Sequence, residues 1–154
     1  MNQSEIIRQI KEFPAQLEAF ASTLTESQLT TPIREGAWTI RQSIHHLVDS
    51  HSHSYIRIKF ALTAENPSVK PYDEKQWAKL PDCIDMPIQV SLDAIRGLHG
   101  RIVYTLEHIA QDDWKRTLYQ PELGQIDLFH YTERFAIHGP THLSSLQSVI
   151  SSLS

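Results

Sequence analysis

Apolar side chains recur at helical spacing in four stretches of the chain. In the first, Ile6, Ile10, Phe13, Leu17, Phe20 and Leu24 fall at steps of three and four, which is one face of an α-helix. Pro14 lies inside this run and predicts a kink or an interruption, because proline has no N–H for the helix ladder. Thr25-Glu26-Ser27-Gln28 is a capping-box pattern that starts a short helical turn, and residues 32–36 read as a loop. A second helix is predicted over about residues 39–63, with Ile40, Ile44, Leu47, His51, Tyr55, Ile58 and Leu62 on its apolar stripe. A separate polar stripe carries Gln42, His46, Asp49, His53 and Arg57, which suits a solvent-filled cleft better than a dry core.

Pro67, Pro71, Pro81 and Pro87 punctuate residues 65–87, a long connection with a short helix predicted over 73–80. Long ordered connections in small domains often cover sites. A third helix follows from Leu92, Ile95, Leu98, Ile102, Leu106 and Ile109, and residues 112–127 form a second crossover. The fourth stripe is Leu128, Tyr131, Phe135, His138, His142, Leu146, Val149 and Leu153, where two histidines stand in place of hydrophobes. Gly139 and Pro140 between them predict a kink or a fresh helix start. Internal repeats, low-complexity segments and strand-like alternation are absent from the sequence. The expected fold is all-α, a single domain over residues 1–154 built as a four-helix bundle with long crossover connections.

Composition narrows the function. At 154 residues and 40% hydrophobic, the chain can bury one real core. A net charge of -4 without clustered Lys and Arg argues against a nucleic-acid-binding surface, while leaving local cations for an anionic small molecule. Cys83 is the only cysteine, so no internal disulfide is expected, and no basic neighbour in sequence activates it as a nucleophile. The N-terminal pattern is amphipathic rather than signal-like, and no stretch reaches the roughly 18 apolar residues of a membrane span. A soluble, cytoplasmic protein with no membrane partner is expected. Neither a phosphate-cradling G-x-x-x-x-G-K loop nor a G-x-S-x-G elbow occurs.

The histidines carry the candidate chemistry. His138 and His142 are four apart, so on one helix they point the same way with Cβ atoms roughly 6 Å apart. A third ligand must come from another element, and His46 is chosen because its polar stripe can turn toward a cleft. Three imidazoles suit zinc or nickel and leave a position open for water or substrate. Against this, the chain has nine histidines, so a four-spaced pair can arise by chance. A lone histidine is more often a surface or hydrogen-bonded residue, and His45 and His51 read as structural. Asp49, one turn after His46, is the candidate catalytic residue that orients a ligand or accepts a proton. Arg57 is the candidate for binding an anionic group of the substrate, although a surface cation or salt bridge is the commoner use of such a residue. Tyr72 and Trp77 flank Asp73 and Glu74 in the connection as candidate pocket walls, although loop aromatics more often anchor on the core.

Glu35-Gly36-Ala37-Trp38-Thr39-Ile40-Arg41-Gln42, His45-His46-Leu47-Val48-Asp49-Ser50-His51, Ser54-Tyr55-Ile56-Arg57 with Lys59, and Pro71-Tyr72-Asp73-Glu74 with Trp77 resemble the DinB superfamily of four-helix-bundle metalloproteins. Within it they look like the YfiT-like metal-dependent hydrolases. The resemblance runs from Ile6 through the His138 segment. It implies three histidine ligands at His46, His138 and His142, zinc or nickel as the metal, a homodimer and a cytoplasmic location. It also implies a three-histidine divalent-metal site that activates water against a small-molecule substrate. One departure stands out. The family pattern at the last ligands is of the type H-x-x-H-H. Here His138-Gly139-Pro140-Thr141-His142 keeps the ligand spacing and replaces the neighbouring histidine. Two other functions fit the same residues: a metal-dependent S-transferase of low-molecular-weight thiols, and a non-catalytic metal-binding bundle.

Overall fold

The four predicted stripes become four long helices in the computed structural model, which describes residues 1–153. They are α1 (Gln3–Ala21), α3 (Ile40–Thr63), α6 (Ile88–His108) and α7 (Leu128–Ser152). Short helices α2 (Glu26–Leu29), α4 (Glu74–Trp77) and α5 (Pro81–Ile84) lie between them. Side-chain caps fix several starts. Asn2 with Glu5, Thr25 with Gln28 and Thr39 with Gln42 form reciprocal capping boxes, and Asp127 accepts from the His130 amide at the start of α7.

Two apolar clusters reveal the direction of each helix. One joins Ile6 and Ile10 from the start of α1, Ile58 from the end of α3, Ile102 and Leu106 from the end of α6, and Leu128 from the start of α7. The other joins Leu17 from α1, Ile40 and Ile44 from the start of α3, Leu92 and Ile95 from the start of α6, and Leu146 from α7. Helices α1 and α7 therefore run one way, and α3 and α6 run the other. Both α1 and α3 pack against α6 and α7, which places α1 and α3 on a diagonal. The order is up-down-down-up. Parallel neighbours α3 and α6 cannot be joined by a tight turn, so residues 64–87 travel back along the bundle, carrying α4 and α5 across the face of α3.

Three expectations are corrected. A two-stranded hairpin, β1 (Thr117–Gln120) and β2 (Gly124–Asp127), pairs Thr117 with Asp127 and Gln120 with Gly124, where the sequence predicts no strand. Four residues per strand are too few for a period-two signal to stand out. Hydrogen bonds from Val69 to Tyr119 and from Tyr119 to Pro67 tie the start of the crossover to this hairpin. Helix α1 runs unbroken through Pro14. The Ile10 carbonyl, which loses its ladder donor to the proline, accepts instead from His99 Nδ1 at 2.6 Å. Helix α7 likewise runs unbroken through Gly139 and Pro140. At Gly139 the two helices touch closely: a Cβ there would lie 2.7 Å from Phe13 Cζ, so a larger residue would have to push the Phe13 ring aside. Among the described residues, no helix is long and apolar enough to cross a membrane.

Candidate metal centre

The polar stripe of α3 is roofed by the crossover rather than left open to solvent. Gln42 Nε2 donates to the Ala78 carbonyl at 2.7 Å, and Arg57 Nη2 donates to the Lys70 carbonyl at 3.2 Å. Between them, the His53 ring stacks on Tyr72 at 4.1 Å and 6°. The Tyr72 hydroxyl lies 3.4 Å from His46 Nδ1, and Trp38 packs on the same imidazole at 4.9 Å. Gln42, His46, His53 and Arg57 thus all find partners in one segment of chain.

His46 on α3 faces His138 and His142 on α7. The His138 and His142 ring centroids are 4.6 Å apart, and they stand 5.9 Å and 5.2 Å from that of His46. One ring nitrogen from each lies within 4.8 Å of the other two. Burial keeps all three neutral. It lowers His46 to about 3, with further lowering from His142 and His138. It lowers His138 to about 4, helped by His142, and lowers His142 as well. Neutral, converging imidazoles fit a divalent metal ion, because each offers a lone pair without first losing a proton. A carboxylate also reaches this group: exposed Glu74, whose Oε2 is 3.8 Å from His46 Nε2.

Two further histidines sit behind this group. His51 Nδ1 is 2.8 Å from His99 Nε2, and His51 Nε2 is 3.2 Å from His138 Nδ1. Sequence alone assigns His51 to structure and gives His99 no role. The available signal is position: His99 falls four residues after Ile95 and three before Ile102, on the buried stripe of α6. His45 has a separate task. Its Nε2 donates to the Met86 carbonyl at 2.9 Å, so its Nδ1 accepts from the Ser91 hydroxyl at 2.6 Å, which ties α3 to the start of α6.

The structure places Asp49 apart from the imidazoles. Its carboxylate accepts from the Cys83 thiol at 3.7 Å and makes no hydrogen bond with His46, His138 or His142. Burial, then Asp82, pushes its pKa up to about 6, opposed by the Cys83 contact. Burial, then Asp49, pushes the Cys83 thiol up to about 12. Tyr72 is driven well above the usual phenol range, first by burial and then by Glu74 and Asp49, so its hydroxyl stays protonated.

Arg57, Tyr72, Gln120, His138 and His142 line one cavity of about 870 Å³. Arg57 Nε and Gln120 Oε1 are buried there without hydrogen-bond partners. Gln120 comes from β1, so the unforeseen hairpin supplies part of the wall.

Residues 9–146 match the DinB superfamily. A protein of Oceanobacillus iheyensis, provisionally named a metal-dependent hydrolase, is 43% identical over 146 residues, covering 95% of this chain and 84% of its own. One from Bacillus cereus with the same provisional name is 42% identical over 143 residues, covering 93% of this chain and 82% of its own. Among solved structures, YfiT from Bacillus subtilis is described as a probable metal-dependent hydrolase with an unusual four-helix bundle topology. It superposes with a TM-score of 0.95 at 36% identity, covering 98% of this chain and 87% of that one. The match spans the bundle from within α1 to within α7, and the relatives align along nearly the whole sequence: the chain belongs to the DinB superfamily.

Proposed function

We propose that the protein is a metal-dependent hydrolase whose divalent ion, zinc or nickel, is held by His46, His138 and His142. The observation that carries this reading is the convergence of three neutral imidazoles, His46 buried and His138 and His142 half-buried, beside a cavity of about 870 Å³, a size suited to a small molecule. The provisional names of the relatives support it. A bound ion would supply Lewis acidity and an activated water. The remaining tasks fall to the chain. Arg57 Nε and Gln120 Oε1, both unpartnered, offer one donor and one acceptor, which fits a substrate with an acidic group beside an N–H or hydroxyl. Tyr72 closes the wall beside them and holds His46 in place. Glu74, whose Oε2 is 3.8 Å from His46 Nε2, would be the carboxylate that accepts a proton beside the imidazoles. The role expected for Asp49 passes to it in this reading, because Asp49 is turned toward Cys83.

Metal content by mass spectrometry tests the site. The wild type should carry about one zinc or nickel per chain, as three-ligand sites do. The His46→Ala variant and the His138→Ala/His142→Ala variant should carry none while keeping their helicity. Metal-free wild type after incubation with both ions would overturn the reading. On a panel of small esters and amides, the loaded protein should hydrolyse without added thiol. A strict requirement for a low-molecular-weight thiol would replace hydrolysis by thiol transfer.

A further inference from the structure

A row of histidines, His99 and His51 buried and His138 half-buried, runs from the α1 backbone to the proposed metal centre, and one atom sets its direction. The Ile10 carbonyl has no ladder donor because Pro14 stands four residues on. A carbonyl only accepts, so His99 Nδ1 carries a hydrogen and donates across 2.6 Å. The next two contacts are His99 Nε2 to His51 Nδ1 at 2.8 Å and His51 Nε2 to His138 Nδ1 at 3.2 Å. Each holds a single hydrogen. A doubly protonated ring at either link would be an imidazolium packed against Phe13 and Phe135, in residues only 1% and 2% exposed. Among the described residues, no carboxylate hydrogen-bonds to His51 or His99, so that charge would have no counterion. With neutral rings the direction propagates. His51 Nδ1–H donates to His99, and His138 Nδ1–H donates to His51. The Ser50 hydroxyl, 3.4 Å from the same His138 nitrogen, can share that hydrogen as a second acceptor.

We propose that His51 and His99 are positioning residues which, with the Ile10 carbonyl, fix His138 as the Nδ1–H tautomer and so commit its Nε2 lone pair to the metal. The opposite tautomer would put a hydrogen where the ion must sit. Ligating histidines commonly donate their second nitrogen to a carboxylate or a backbone carbonyl. Here the carbonyl is reached through two intervening rings, which lets a group on α1 orient a ligand on α7. The metal's part in this inference rests on the proposed centre; the tautomer is a property of the chain alone.

The experiment is long-range proton–nitrogen correlation NMR on metal-free, nitrogen-15-labelled protein, followed by zinc titration against a competing chelator. Wild-type His138 should show a protonated Nδ1 and a bare Nε2. In His51→Phe the tautomer preference should be lost and zinc should bind about 10- to 100-fold more weakly, the range for losing such a partner. His51→Gln should restore both to within a few-fold (roughly one hydrogen bond's margin), since its amide oxygen can accept from His138 and its amide nitrogen can donate to His99. A purely structural role for His51 would not switch the protonated nitrogen of His138. A protonated Nε2 on wild-type His138 overturns the proposal. So does a folded His51→Phe with unchanged tautomer and zinc affinity. If His51→Phe does not fold, the wild-type spectrum and the His51→Gln titration decide. Wild type with protonated Nδ1 that binds no zinc would sink the metal centre and leave the tautomer relay standing.

Discussion

Helix α3 presents histidines on two faces that solve opposite problems. On the inner face, His51 sits in a buried slot between Phe13 and Phe135, and both its nitrogens are hydrogen-bonded to other rings. On the outer face, His46 lies under the crossover beside a cavity, and converges with two imidazoles to which it is not hydrogen-bonded. Burial keeps both rings neutral. What differs is the use of the lone pair. The inner ring satisfies a neighbour with it, whereas in the proposed function the outer one offers it to an ion. Burial of a histidine therefore does not by itself distinguish these two uses.

Acid breaks both faces and should have the largest effect. Above pH 6.5 the folded and unfolded chains both hold these rings neutral. Below it, the unfolded chain takes up protons first. The folded chain resists until about pH 4 for His99 and His138 and about 3 for His46. Stability of the metal-free protein should thus fall steadily between pH 6.5 and 4. The loss should be on the order of several kcal/mol, because a tenfold change in proton affinity is worth about 1.4 kcal/mol and several rings contribute. Asp49, raised to about 6, opposes this with a single proton. Denaturant titrations across that range would show it. A flat profile would mean that the rings are not held neutral.

Gly139→Ala strains the inner face alone. The new Cβ would lie 2.7 Å from the Phe13 ring, which packs on His51 and His99. Overpacking of this kind costs about 1–3 kcal/mol. The melting temperature should drop by several degrees, and Phe13→Leu in the same chain should recover part of the loss, by removing the ring that clashes. Independent, additive losses would show that the two residues do not meet as described.

Tyr72→Phe touches only the outer face and should have the smallest effect. It deletes the hydroxyl 3.4 Å from His46 Nδ1, a long contact worth about 0.5–1.5 kcal/mol. Zinc affinity should weaken a few-fold by chelator competition with the melting temperature nearly unchanged. A collapse in stability would mean that Tyr72 anchors the crossover rather than the ligand.

The outer face is largely legible in the sequence. The apolar stripe of α3 defines its complement, and Gln42, His46, Asp49, His53 and Arg57 all fall there because helical spacing alone puts them there. Four-residue spacing likewise brings His138 and His142 together, although whether Gly139-Pro140 parts them cannot be read locally. The structure carries α7 through both residues without a break. The inner face is illegible for a related reason. A histidine on an apolar stripe has the periodicity of core, and only tertiary contact shows that His51 and His99 touch each other and His138. Pro14 misleads in the same way: the expected break is absent, and the acceptor it leaves unpaired is satisfied from α6. The hairpin escapes a reading of periodicity because its strands are short and because its partner is the crossover, through Val69 and Pro67. Asp49 shows the limit of spacing, since one turn after His46 is too coarse to tell a carboxylate facing the imidazoles from one facing Cys83.

Pro14 has a last consequence, for anyone engineering a hardier version of this protein. By helix propensity it is the weakest position in α1, about 3 kcal/mol below alanine, and a stability-guided redesign would replace it first. An alanine amide there would claim the Ile10 carbonyl for the helix. His99 would then share that oxygen with the helix ladder, and in the proposed relay the reference for the hydrogens of the histidine row would weaken. The best-scoring helix would then be the one that, in the proposed relay, tells His138 on the far side of the bundle less firmly which nitrogen to offer.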